Sequence, residues 1–374
     1  MEYLLELYNQ EKNLHINYTY NVKDNIIKNE KGEVLTLNLE DNREIKKKKL
    51  TIQLGFSCNM SCSYCLQSKT KKKSFDIEKC KNLVENLKKE NLENTKIEFW
   101  GGEPLLYIKE ILYIVRHLKH NDYLIITNGM LLNIKLVKFL IKHNFTIILS
   151  HDAQSQNVRG KNPLDIPNVL EAIKYVYKNH KHKFGINSVI TNGNINTMER
   201  LKYFANYLEE ENILEIPHSG EGPVYNTNLN ILSKDNLSNK IYHDIIENNG
   251  MIYGFYNNAI VNFLYNLNKP ISITKTKCGI ENKDKYKIFD INNKELTCHN
   301  YDYKFNINTI KENDYCDNCI VRNLCKSGCP AIDKSSEIFK KNCEIMYETN
   351  TALLRVIMYI ITNNEFQLIN VKKI

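Results

Sequence analysis

No apolar run in this chain of 374 residues reaches the ~18 residues needed to span a bilayer. The N-terminus, Met-Glu-Tyr-Leu-Leu-Glu-Leu, lacks a basic stretch followed by a long apolar one, which argues against a secretory signal. Disulfides are therefore not the expected use of its eleven cysteines. Thiols in a reducing compartment stay reduced, and clustered ones are metal ligands more often than staples. A cytoplasmic location follows as an expectation. No stripe of interleaved Arg and aromatic residues marks a nucleic-acid face. The charge excess is small: +8, with a pI near 8.7, tolerates an acidic peptide or a nucleic acid and requires neither. At 42% hydrophobic and 25% charged, the composition is that of an ordinary globular protein. The length fits one large domain plus a smaller one.

What the chain does have is cysteine in two groups. Cys58, Cys62 and Cys65 read C-N-M-S-C-S-Y-C, and no fourth Cys or His lies in that loop. Structural zinc wants four protein ligands. Three thiolates can instead hold three irons of a cubane and leave the fourth iron open to a substrate. The second group is Cys278, Cys298, Cys316, Cys319, Cys325, Cys329 and Cys343. Seven thiolates are one short of two zinc sites and one short of two cubanes, so the number alone leaves both open. Cys80, the remaining one, falls in a helical pattern and reads as a small buried apolar residue.

Hydrophobic patterning predicts a hairpin from Leu14–Val22 and Glu33–Leu39, then strand–helix alternation from Leu50 onward. Strands are expected at 51–54, 96–100, 123–126, 146–149, 185–190 and 213–216. Helices are expected at 77–89, 107–119, 131–143, 168–178 and 197–208. The polar motifs Gly101-Gly102-Glu103-Pro104, Thr127-Asn128-Gly129, Ser150-His151-Asp152 and His218–Gly222 each follow a strand. That pattern is a parallel α/β sheet with its functional rim beyond the C-terminal strand ends. Helices are expected from Leu237 to Leu267 and from Glu344 to Ile361. The resulting division is an N-terminal hairpin and extension (1–49), a barrel (50–235), a helical linker (236–276) and a cysteine-rich unit closed by a helix (277–374).

C-x3-C-x-aromatic-C after the first strand, followed by G-G-E-P after the second, resembles the radical S-adenosylmethionine (SAM) superfamily. The resemblance implies an α/β fold, a partial (β/α)6 TIM-like barrel with a small C-terminal cysteine-rich auxiliary-cluster domain. It implies a [4Fe–4S] cluster on Cys58, Cys62 and Cys65, with SAM on the open iron. Gly101, Gly102 and Glu103 would hold the SAM amino group, and the backbone at Tyr64 would contact the adenine. Ser150 and Arg159, in a divergent version of a second element, would take the carboxylate. Here His151 and Ala153 replace an apolar residue and a glycine. Asn187 would face the ribose.

The order and spacing of the later cysteines resemble the SPASM extension of radical SAM enzymes that modify peptides. That resemblance implies two auxiliary [4Fe–4S] clusters, one on Cys278, Cys298 and Cys329, the other on Cys316, Cys319, Cys325 and Cys343. The first is a ligand short, leaving an open iron, Asp284 or a substrate thiolate in that place. His299 stands where sulfatase-maturing relatives carry Asp, which speaks against that activity. The implied enzyme takes a hydrogen from a ribosomal peptide or protein, giving a thioether or C–C crosslink or an oxidised residue. The electron donor would be a flavodoxin or ferredoxin. The alternative is a radical SAM enzyme acting on a sugar, an alcohol or a nucleoside.

Overall fold

The computed structural model describes residues 1–37, 47–65, 67, 75–223, 232–247, 254–270, 282–298, 314–326, 328 and 335–374. The chain opens with β1 (Glu2–Asn9), β2 (Leu14–Asn21) and β3 (Ile26–Asn29). The alternating region follows as β4 (Lys48–Gln53), α1 (Ile77–Leu87), β5 (Thr95–Trp100), α2 (Ile108–Leu118), β6 (Tyr123–Thr127), α3 (Ile134–Lys142), β7 (Phe145–Ser150), α4 (Pro167–His180), β8 (Phe184–Ile190), α5 (Thr197–Leu208) and β9 (His218–Pro223). After these come α6 (Leu237–Glu247), α7 (Gly254–Tyr265), β10 (Tyr286–Asp290), α8 (Asp314–Asp317), α9 (Arg322–Cys325), α10 (Glu337–Ile361) and β11 (Gln367–Lys373).

Strands β4 to β9 pair in sequence order, every pair parallel, and this is the six-strand α/β sheet that the alternation predicts. Its physical basis is period-2 alternation against amphipathic helices. Ile52, Phe99, Ile125 and Ile147 are fully buried on the helix-facing side. They meet Ile111, Ile114, Val115 and Leu118, which share one face of α2 at helical spacing. Each such aliphatic side chain contributes about 2 kcal/mol on burial. The helix starts are capped locally: Asp76 accepts from Glu78 and Lys79 N–H, Asn133 from Leu136, and Asn196 from Glu199.

Four expectations change. The stretch 213–216 is not a strand. Asn212 caps a single 3-10 turn at Ile213–Glu215, and the sixth barrel strand is His218–Pro223. That segment has little β-propensity, and the free edge of β8 recruits it. Leu14–Asn21 pairs with β1 on one side and β3 on the other, while residues near Val34 reach β3 only through an isolated bridge. A seventh parallel strand, β10, joins β4 at the other edge of the barrel sheet. The final helix begins at Glu337, capped by Ser336, so Cys343 lies inside it.

A second core lies outside the barrel. Leu5, Leu7, Tyr20 and Ile27 of the N-terminal strands pack with Ile241 of α6, Ile260 of α7, Leu324 of α9 and Leu353 and Ile357 of α10. The C-terminal strand β11 pairs antiparallel with β1, giving the sheet order β11-β1-β2-β3. Both chain ends therefore share one sheet, which packs in the same core as Ile320, Val321 and Leu324 around α9. Among the described residues, no helix is long and apolar enough to cross a membrane.

Candidate active site

The loop after β4 carries Cys58, Cys62 and Cys65, and its path is set by backbone contact with the end of β5. Gly102 N–H donates to Gly55 C=O at 2.9 Å, and Glu103 N–H to Ser57 C=O at 2.8 Å. A Cβ on Gly101 would stand 2.7 Å from the Gly55 carbonyl oxygen, and one on Gly102 would stand 2.4 Å from that of Ser57. The two glycines are thus required by the close approach of two backbones. The aromatic Tyr107 stands behind them, its hydroxyl accepting from Ser57 N–H at 3.0 Å. Gly55, at φ +146°, leaves room for that hydroxyl.

Glu103 is buried and joins two strand ends. Its carboxylate accepts from Leu105 N–H at 2.9 Å, Thr127 Oγ1 at 2.7 Å and Asn128 N–H at 2.8 Å. Burial pushes this carboxyl above its usual range, against the pull of those donors. Asn128 was not singled out from the sequence, although it sits at a strand end in Thr127-Asn128-Gly129. Its Nδ2 donates to Asn59 Oδ1 at 2.8 Å and lies 3.9 Å from Cys58 Sγ.

Below the cysteine loop, Tyr64 donates to Asp152 Oδ2 at 2.5 Å and accepts from Arg159 Nη1 at 2.6 Å. Arg159 Nη1 lies 3.6 Å from Asp152 Oδ1. All three side chains are buried. Asp152 is the other residue missed from the sequence. Neighbouring His151 is neutral, pushed down to about 4 mainly by burial. Its Nδ1 accepts from Ala153 N–H, so Nε2 carries the proton and donates to Asn162 Oδ1 at 2.8 Å. Ala153 has φ +49°, which explains the glycine preferred there in the family element.

A cavity of about 320 Å3 brings these parts together. Cys58, Cys62, Tyr64 and Cys65 line one side, and Gly101, Gly102 and Glu103 another. Asn128, Ser150 and Arg159 complete the rim, with Trp100, Ile126 and Val189 supplying apolar surface. The volume falls in the ~300–1,000 Å3 range of small-molecule sites. Asn187 is not in the lining; it lies on β8 two residues before Val189 and so shares its face of the strand. Every other candidate SAM-site residue meets at this cavity.

The donor set fits the groups that the resemblance implies. Three thiols share one loop. Arg159, 9% exposed, has a buried Nε with no protein partner, as a residue awaiting an anionic acceptor would. Among the described residues no three His, Cys, Asp or Glu side chains converge at single-ion spacing. A cubane takes one thiolate per corner iron and spreads its ligands more widely.

In the C-terminal region, Cys316, Cys319, Cys325 and Cys343 lie near one another. Burial and then the neighbouring thiols push Cys343 up to about 12. Cys319 is pushed up to about 11, by burial first and also by Cys325 and Cys316. Cys298 is half-buried just after β10. Cys278, Cys329 and His299 lie outside the described residues. Cys80 is fully buried in α1, its thiol pushed up to about 11 by burial.

Residues 52–208 match the model of the Radical SAM superfamily. An uncharacterized protein of Methanocaldococcus jannaschii, MJ0907, is 32% identical over 176 residues, 43% of this chain. That match spans 58% of the relative's length. The radical SAM cyclopropyl synthase TigE of Paramaledivibacter caminithermalis is 25% identical over 86% of this chain and 76% of its own. Among solved structures, anSMEcpe with bound AdoMet superposes with a TM-score of 0.59 at 18% identity, covering 84% of this chain and 99% of that one. The same enzyme is also known with AdoMet and a Cp18Cys peptide. The structural likeness shows a shared overall fold across 84% of this chain.

Proposed function

We propose that this chain, whose residues 52–208 form a radical SAM domain, modifies a ribosomally made peptide or protein by hydrogen abstraction. The observation that carries this reading is the single cavity shared by Cys58, Cys62 and Cys65, Gly101-Gly102-Glu103, Ser150 and Arg159. When bound there, a [4Fe–4S] cluster and SAM supply one electron and a carbon-centred radical able to take a hydrogen atom. The protein's own residues bind, orient and exclude water. Cys58, Cys62 and Cys65 would hold the cluster. The backbone of Gly101 and Gly102, and the rim around Glu103, would take the ammonium group of the methionine moiety. Ser150 and Arg159 would hold its carboxylate. Trp100, Ile126 and Val189 keep that part of the wall apolar.

The peptide substrate is supported by the peptide bound to anSMEcpe, whose fold this chain shares. A cyclopropyl synthase as relative favours a carbon–carbon bond among the possible products. Cys316, Cys319, Cys325 and Cys343 would hold one auxiliary cluster, and Cys278, Cys298 and Cys329 another. Clusters held there would supply one-electron redox chemistry beside the substrate. The enzyme would work in the reducing cytoplasm with a flavodoxin or ferredoxin as donor.

The test is anaerobic purification, iron and sulfide analysis, and assay of 5′-deoxyadenosine after addition of dithionite and SAM. About twelve irons with cleavage would support three cubanes. Peptides encoded beside the gene would then be screened for increased turnover and a mass change. Zinc in place of iron, or no cleavage, would overturn the reading.

A further inference from the structure

We propose that Asp152 is a positioning residue for the SAM site, locking the cysteine loop to the barrel through Tyr64 and aiming Arg159 into the cavity. This rests on the radical SAM reading above. Asp152 is fully buried and held on every side. Its Oδ1 accepts from Val189 N–H at 2.9 Å. Its backbone N–H donates to Gln156 Oε1 at 3.1 Å, and its carbonyl accepts from Asn194 Nδ2 at 2.9 Å. The carboxylate is therefore a fixed point on the barrel rim, at the junction of β7 and β8.

Two side chains are attached to that point. Tyr64 stands between Cys62 and Cys65, and its hydroxyl spans 88 residues of sequence to reach Asp152 Oδ2. A second tie lies alongside, from Ser63 N–H to Val158 C=O at 2.8 Å. Arg159 follows directly. One end of its guanidinium, Nη1, is occupied by Tyr64 and faces Asp152, whereas the buried Nε has no protein partner. The hydroxyl direction is self-consistent, since Tyr64 accepts from the cation and donates to the anion. Fixing one end of a planar fork sets the direction of the other. The fork would then meet a carboxylate in the cavity without first losing its own freedom.

The experiment compares anaerobic wild type, Asp152→Asn and Tyr64→Phe by three measurements: SAM affinity by equilibrium dialysis, the change that SAM induces in the EPR spectrum of the reduced cluster, and iron loss to a chelator. Asp152→Asn should keep its iron and bind SAM about tenfold more weakly or worse, the scale of a lost charged hydrogen-bond partner. Its SAM-induced spectral change should shrink accordingly. Tyr64→Phe should lose iron faster than wild type. Wild-type SAM affinity and spectral change in Asp152→Asn would overturn the proposal even if its melting temperature fell, because a merely structural role moves only the latter. If Asp152→Asn does not fold, Tyr64→Phe decides: iron retention and SAM response like wild type would overturn the proposal. A wild type whose EPR spectrum ignores SAM would refute the radical SAM reading, and this inference with it.

Discussion

Gly102 approaches Ser57 so closely that an added Cβ would stand 2.4 Å from the Ser57 carbonyl oxygen. The end of β5 and the start of the cysteine loop are thus one packed unit, and the cysteine loop inherits its geometry from that contact.

Gly102→Ala should separate the two backbones and break the bond from Glu103 N–H to Ser57 C=O. The atom met is main chain and cannot swing aside, so a loss of about 1–3 kcal/mol is expected. Iron bound per protein should fall as well. Chemical denaturation and iron analysis check both; an alanine variant with full iron and unchanged midpoint would contradict this account.

Asn323→Ala should loosen the N-terminal sheet from the cysteine-rich segment. Its buried Nδ2 lies within hydrogen-bond distance of Tyr20 Oη (2.8 Å), Val22 C=O (2.8 Å) and Asn25 Oδ1 (3.0 Å), and its two hydrogens are shared among these acceptors. Leaving those acceptors unpaired costs about 1–3 kcal/mol. Hydrogen exchange should accelerate in β2 and around residues 22–25, while the barrel strands keep their protection.

Iron removal should act unevenly. In the apo protein the Cys319 and Cys343 thiols, pushed up to about 11 and about 12, stay protonated at neutral pH. Loading a cluster on these thiols would therefore release protons, and its binding would stabilise the fold around α9 and α10. Anaerobic chelation should raise hydrogen exchange there more than in the barrel sheet. Titration of the apo protein should show the ultraviolet absorbance of these two thiolates only well above neutral pH.

His151 makes stability depend on pH in a set direction. Its pKa is pushed down to about 4 in the fold and returns to about 6.5 on unfolding. A depressed folded pKa gives stability that is fully present above pH 6.5 and lost as pH falls toward 4. The slope is about 1.4 kcal/mol per pH unit and the total about 3 kcal/mol. Protonation would also displace the Ala153 N–H from Nδ1. Between pH 7.5 and pH 5, wild type should therefore lose more stability than His151→Gln; equal losses in urea denaturation would rule this out.

The cysteine loop, the Gly-Gly-Glu turn and five of the six barrel strands were legible because their signals are local. Ligand spacing on one loop, period-2 alternation and capping residues are all read within a few positions of themselves. The sixth strand was not legible. His218–Pro223 has no strand signal of its own, and Ile213–Ile216 imitates one. β10 and β11 were missed for a related reason: each is a short edge strand placed by its partner, β4 in one case and β1 in the other.

By itself the sequence determined which side chains could ligate metal, the alternation that makes a parallel sheet, and the side of that sheet on which the motifs fall. Only the tertiary structure decided that Asp152 meets Tyr64 and Arg159, that Glu103 joins the ends of β5 and β6, and that both chain ends share a core with α9. Those contacts join residues far apart in sequence, and their energies come from burial and hydrogen bonds that exist only once the chain is packed.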